Sequence, residues 1–241
     1  MSLEDILYRA RAYPYDSPPQ SYLYQNGSVL DFQPDQTINR TPVLAFGSNK
    51  SPEQLRRKFG NLPNCAIPVE YVKLHDFDIV FAAHITSYGA VPAMLQHCKG
   101  VVAKVALTWL DDQQLEMMHK TELYAANYSF GKIENILAQR DHTNDLTEVC
   151  AYIGERGHLS ANTDGHAYSI AQIPAEGRIW PATTSGDLLE MIRDRHAPDL
   201  SSDEFILNLV QNKGYRRKIT EYISIDENSF IYPYTILKSA I

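Results

Sequence analysis

The apolar and polar positions along the chain fall into runs of different period. Residues 3 to 12 carry a short helical pattern. Tyr22-Leu23-Tyr24 and Val29-Leu30-Asp31-Phe32 are β-prone runs around Gln25-Asn26-Gly27-Ser28, and an Asn-Gly pair in that place predicts a hairpin. Residues 33 to 42 are polar with two prolines and read as a linker. Val43-Leu44-Ala45-Phe46 predicts a short buried strand that ends at Gly47-Ser48-Asn49. Ser51-Pro52-Glu53-Gln54 then offers an N-cap, a first-turn proline and a capping-box glutamine, and Gly60 stops the helix after Phe59. β-Rich runs follow near 66–74, 77–85, 90–96 and 100–109, the last alternating as Val101, Ala103, Val105, Leu107 and Trp109.

The period then changes. Asp111-Asp112 supplies an N-cap, and Leu115, Met118 and Glu122 share one helical face, with Gln113, Glu116 and Lys120 opposite. Two further strands are predicted near 127–137 and 146–153. Beyond Gly154 a polar Gly/His/Asn stretch runs to about residue 177, and helices are predicted at 185–196 and 201–213. Ser201-Ser202-Asp203-Glu204 opens the second helix and Gly214 closes it. Leu188, Leu189, Ile192, Phe205, Ile206, Leu209 and Val210 have the spacing of a packed face.

With 241 residues, 44% of them apolar and 21% charged, the chain is long and apolar enough to bury a substantial core. The net charge of -7, with basic clusters that are only short, Arg56-Arg57-Lys58 and Arg216-Arg217-Lys218, argues against nucleic acid as a partner; both clusters read as solvated helix faces. Cys65, Cys98 and Cys150 are odd in number and widely spaced, which fits reduced thiols and a cytoplasmic protein. No stretch has the length of a membrane span, so no membrane partner is expected, and in an unexported chain the sequons at Asn26, Asn39 and Asn127 are chance matches. The phosphate-cradling, dinucleotide, zinc-protease and nucleophile-elbow motifs are all missing. His75-Asp76-Phe77-Asp78 and His97-Cys98 are the densest metal-type clusters, but neighbouring strand residues point to opposite faces, so no metal site is expected.

Two features carry chemistry. The Phe46-Gly47-Ser48-Asn49 loop, between a buried strand and a helix start, offers backbone N–H groups to an anion, although an ordinary strand-to-helix turn has the same pattern. Glu122 lies on the apolar stripe of its helix, which predicts a carboxyl withdrawn from water, the setting of a proton-transferring acid. A helix-end Glu paired with a Lys or Arg reads equally well from the pattern.

Taken in series, these segments resemble the γ-glutamylcyclotransferase-like family. Val43-Leu44-Ala45-Phe46-Gly47-Ser48-Asn49 with Ser51-Pro52-Glu53-Gln54-Leu55 is similar to the family's strand, Tyr-Gly-Ser-Asn loop and helix start. Leu74-His75-Asp76-Phe77, Gly89-Ala90-Val91-Pro92-Ala93-Met94-Leu95 and Gly100-Val101-Val102 resemble its successive barrel strands. Leu115, Met118 and Glu122 followed by Tyr128 resemble the segment that carries the catalytic Glu and a following Tyr. Phe46 stands where the family has Tyr, and the family's Pro-Ser-x-x-Tyr tail motif is missing.

The resemblance implies an α+β fold, a small mixed β-barrel flanked by helices, for the core (43–154); the N-terminal extension (1–42, helix and hairpin) and the C-terminal, mostly helical extension (155–241) lie outside it. It implies cyclisation of a γ-glutamyl amide to pyroglutamate with release of an amine or amino acid. Glu122 is then the general acid/base, and Leu44, Ala45, Phe46, Gly47, Ser48, Asn49, Gly89 and Tyr128 surround a small-molecule γ-glutamyl substrate. No metal or cofactor is required, since one carboxyl can take the proton from the attacking amine and return it to the leaving one. The extensions are read as covering the pocket, forming an oligomer interface such as a homodimer's, or restricting access. Two other readings stay open: a non-catalytic pocket for a small acidic metabolite, and a related γ-glutamyl amide transferase or hydrolase.

Overall fold

The computed structural model describes residues 2–124, 127–141, 143–161, 165–224 and 229–239. Helix α1 (Leu3–Arg11) is capped reciprocally by Ser2 and Asp5. Strands β1 (Tyr22–Gln25) and β2 (Ser28–Asp31) form the expected hairpin. Asn26 and Gly27 both take positive φ, +50° and +91°, as a two-residue turn matched to strand twist requires. The linker reading of 33–42 is only partly right: a turn of 3-10 helix occupies Pro34–Thr37, and strand β3 (Thr41–Ala45) already begins at Thr41.

Helix α2 (Pro52–Phe59) starts and stops where expected, with Gly60 at its C-cap, but Ser51 makes no side-chain cap. The capping-box reading of Gln54 is therefore corrected. β4 (Ala66–Phe81) and β5 (Ala93–Leu110) replace the four separate β-runs of the sequence reading. They pair antiparallel along their length with a register break between His75 and Phe77. Asp76 sits there at φ +62°, its carboxylate accepting the Gly100 N–H at 2.7 Å. Such a bulge bends both strands without ending them, and a short barrel needs that bend.

Helix α3 (Asp112–Glu122) has Asp111 as N-cap in a capping box with Gln114. β6 (Tyr128–Gln139) and β7 (Leu146–Gly154) follow. The pairing order β4-β5-β3-β7-β6 returns to β4 through Lys73 opposite Gln139, which closes a five-stranded barrel. It is mixed, because β3 and β7 run parallel with Val43 opposite Cys150 while the other neighbours are antiparallel. The N-terminal hairpin joins the same sheet by pairing β1 with β4. Short strands β8 (Ser169–Ile170), β9 (Ala175–Glu176), β10 (Ala182–Thr183) and β11 (Tyr234–Lys238) extend it. Arg178 and Ser169 both bond the buried Asp78 carboxylate and so fasten the segment after β8 to β4.

α4 (Ser185–His196) and α5 (Ser202–Gln211) match expectation, but Gly214 does not stop a helix; it lies inside α6 (Lys213–Ile223). The break falls at Asn212, whose side chain accepts from Tyr215 N and opens α6. Leu188, Leu189, Phe205, Leu209 and Ile219 of these helices belong to one buried cluster with Tyr13 of the N-terminal segment and Leu44, Phe81 and Ile133 of the barrel. Leu55 and Phe59 of α2 and Met118 of α3 pack in a second cluster against Ala45, Ile67 and Leu110. The architecture is the expected α+β barrel flanked by helices. Among the described residues no helix is long and apolar enough to cross a membrane, and no group of three His, Cys, Asp or Glu could hold a metal ion.

Candidate functional site

The C-terminal end of β3, the start of β5 and the last turn of α3 converge on a cavity of about 420 Å³. That volume suits a small molecule. Of the residues singled out from sequence, Leu44, Ala45, Phe46, Gly47, Ser48, Asn49, Glu122 and Tyr128 line it. Gly89 does not. At φ +84° its Cα faces α1 and α5, where a Cβ would lie 3.0 Å from Val210 Cγ2 and 3.4 Å from Ala10 Cβ. Its neighbour Tyr88 reaches the cavity instead.

The loop is held by backbone geometry. Ser48–Lys50 form a turn of 3-10 helix closed by Ser51 N to Ser48 O at 2.9 Å, and the first amides of such a turn have no intrahelical acceptor. Gly47 sits at φ -98°, outside the left-handed region, so positive φ is not its reason. Its reason is close approach: a Cβ there would collide with the Tyr13 hydroxyl. Tyr13 Oη accepts from Ala93 N at 2.9 Å, and Tyr128 Oη donates to Ala93 O at 3.2 Å. Two phenols thus grip the first residue of β5 and face the loop. Burial, with smaller contributions from neighbouring acidic groups, raises the Tyr13, Tyr88 and Tyr128 phenols well above their ordinary range, so all three are neutral donors.

Glu122 is only partly buried, and it is paired. Lys58 Nζ of α2 bonds its Oε1, with 6% of the Lys58 side chain and 19% of the Glu122 side chain exposed. This corrects the reading of Arg56-Arg57-Lys58 as one solvated face: Arg56 and Arg57 are exposed, but Lys58 turns inward. The missed signal is spacing, because Gln54 and Lys58 are four apart on one face of α2 and both line the cavity. Asn49 Nδ2 lies 3.5 Å from the same carboxylate oxygen. Among the described residues Asn49 Oδ1 and Gln54 Oε1 are buried acceptors with no hydrogen-bond partner. Buried acceptors left unmet are costly, so the pair marks where a ligand's N–H groups belong.

His84, from the segment after β4, was not foreseen. It is 3% exposed, packs edge-on against Tyr128 and lines the cavity, and among the described residues its Nδ1 has no partner. Burial, aided by Arg156, pushes its pKa down to about 3, so the imidazole is neutral. Arg216 of α6 also lines the cavity, with Nη1 donating to Leu209 O at 2.6 Å, which corrects the solvated-face reading of the second basic cluster.

No protein-family model and no curated protein matches the chain. Solved structures do. A γ-glutamyl cyclotransferase is similar over 89% of this chain and 94% of its own, with TM-score 0.39 and 11% identity. A human protein described as uncharacterized gives the same values. A protein from Arabidopsis thaliana, solved in solution, is similar over 53% of this chain and 74% of its own, with TM-score 0.37 and 13% identity. The likeness is one of fold.

Proposed function

We propose that the chain is a cytosolic γ-glutamylcyclotransferase-like enzyme that cyclises a γ-glutamyl amide to pyroglutamate and releases an amine or amino acid. One observation supports it above the others: a carboxylate, a loop whose first 3-10 amides have no intrahelical acceptor, and two buried acceptors without a partner among the described residues line one small cavity. In this reading the Gly47 and Ser48 amides take the substrate α-carboxylate. Asn49 Oδ1 and Gln54 Oε1 accept from its α-amine and aim the nitrogen at the γ-carbonyl.

The reaction then balances within the substrate. The amine nitrogen forms a bond to the γ-carbon, and Glu122 takes the proton that the nitrogen loses. The bond from the γ-carbon to the leaving nitrogen breaks, and Glu122 returns the proton there. Lys58 is the counterion of the carboxylate before substrate arrives. Tyr13, neutral and anchored through Ala93 N, donates to the γ-carbonyl oxygen as negative charge develops on it. Ring closure is intramolecular, so folding the substrate against this wall supplies much of the acceleration.

The Lys58–Glu122 pair also favours one alternative, a non-catalytic pocket for a small acidic metabolite, since a carboxylate that joins two helices as an ion pair has a structural role without any chemistry. Incubation with a panel of γ-glutamyl amides decides between them. Pyroglutamate and free amine in equal amounts support the proposal. Glutamate in place of pyroglutamate makes the chain a hydrolase, and binding without turnover of any member makes it a pocket protein.

A further inference from the structure

A second cavity, of about 640 Å³, adjoins the first and shares His84, Ile85, Asn127 and Arg216 with it. Its lining carries four cations, Arg156, Lys213, Arg216 and Arg217, and one carboxylate, Glu221. Arg217 already pairs with Glu221 at 2.9 Å, so among the described residues of the lining three positive charges have no carboxylate partner. The chain as a whole is at -7, so this concentration runs against its overall sign. Arg216 stands at the junction, steadied by the carbonyls of Leu209 and Val210 at the end of α5. His84 stands beside it, nine-tenths buried and more, with Nδ1 unpartnered among the described residues. A buried, unpartnered nitrogen between two cavities is where a ligand spanning both would be bonded.

We infer that the second cavity receives the leaving half of the substrate, and that this half carries several negative charges, as oligocarboxylate or as a phosphate ester. This rests on the γ-glutamyl reading of the first cavity. Arg216 and His84 hold the joint between the two halves, and Arg156 and Lys213 hold the distal anion. All of them come from outside the barrel strands and α3: His84 from the segment after β4, Arg156 from the turn after β7, the other two from α6.

The experiment compares four substrates: γ-glutamylethylamide (neutral), γ-glutamylalanine (one carboxylate), γ-glutamyl-glutamyl-glutamate (three) and γ-glutamyl-phosphoethanolamine (a phosphate). KM is expected to fall about 10-fold or more from one carboxylate to the multiply charged members, with the advantage shrinking as salt is raised. Whether the tricarboxylate or the phosphate gains more identifies the natural anion. Lys213→Glu and Arg156→Glu should each remove most of that advantage. Lys213→Glu is informative because an acid in the first turn of α6 suits the helix, so its loss of affinity is not a loss of fold. Turnover with equal KM across the four substrates, or an advantage that persists in both variants, overturns the inference and leaves the catalytic reading standing. If no substrate is turned over, the same compounds serve as probes in calorimetry. Binding of the tricarboxylate or phosphate that Lys213→Glu abolishes then supports the anion site while the cyclotransferase reading fails. Absence of charge-dependent binding overturns the site itself.

Discussion

Lys58 reaches from the last turn of α2 to the Glu122 carboxylate at the last turn of α3, joining the two helices that pack outside the barrel at the mouth of the cavity. A carboxylate without solvent on most sides needs a counterion, and a ligand that displaces Lys58 must replace it with a charge or a proton. The pair therefore links occupancy of the cavity to the charge balance between α2 and α3.

Glu122→Gln keeps shape and polarity but cannot carry the proton. Turnover is expected to fall about 100-fold or more, with substrate binding retained. The buried Lys58 loses its counterion in that variant, so the melting temperature should fall as well, and Lys58→Met combined with Glu122→Gln should recover part of the loss. Turnover of a folded Glu122→Gln protein near that of the parent would falsify the assignment.

Gly47 and Tyr13 are coupled sterically. Gly47→Ala places a methyl against the Tyr13 hydroxyl and is expected to cost about 1 to 3 kcal/mol of stability, with weaker substrate binding. Tyr13→Phe removes the obstructing oxygen, so the double variant should be more stable than the sum of the two single effects. Simple additivity in denaturant titrations would show that the methyl is accommodated elsewhere.

Much of this arrangement was legible in local sequence signals. The Asn26-Gly27 turn, the Asp111 and Ser201 caps and the α4 boundaries follow from chain-local chemistry that the surrounding structure does not contest. The apolar stripe also brought Glu122 to the same cavity as the Gly47–Asn49 loop. What stayed hidden depends on contacts distant in sequence. Lys58 and Arg216 sit in runs of three basic residues, and only the packing of α2 and α6 decides which member of each run turns inward. Tyr13 lies in the N-terminal segment, where nothing in its neighbours points to a cavity formed with residues beyond position 43. The separate strands expected on either side of Asp76 were an error of another kind, because a bulge interrupts alternation without interrupting the strand.

His84 makes stability depend on pH. Its folded value of about 3 lies below the ordinary one near 6.5, so between these the unfolded chain holds more protons at this residue. Stability contributed by the neutral ring is thus intact above about 6.5 and is lost as the pH falls toward 3, at up to about 1.4 kcal/mol per unit. His84→Gln should flatten the slope of melting temperature against pH in that window by a measurable fraction. An unchanged slope would place the proton uptake at other groups.

The C-terminal helices should be inseparable from the barrel. Phe205, Ile206 and Leu209 are fully or almost fully buried, in the same cluster as Ala10 of α1 and barrel residues such as Leu107. Arg11 of α1 also donates to Ser202 and pairs with Asp203 at 2.7 Å, so α5 is tied to the N-terminal helix as well. Truncating one large buried side chain leaves a cavity that such a clamped site cannot close, so Phe205→Ala is expected to cost about 3 to 5 kcal/mol. Removing everything after about residue 178 exposes the entire apolar face that these helices cover, and the shortened chain should aggregate rather than fold. The fragment also loses Arg216 and with it part of the cavity wall. A soluble fragment with a cooperative melt and full pyroglutamate formation would mean that the barrel supplies the site unaided, and that α4 to α6 are an appendage; a single shared transition in the intact chain, lowered as a whole by Phe205→Ala, is the outcome that the common core requires.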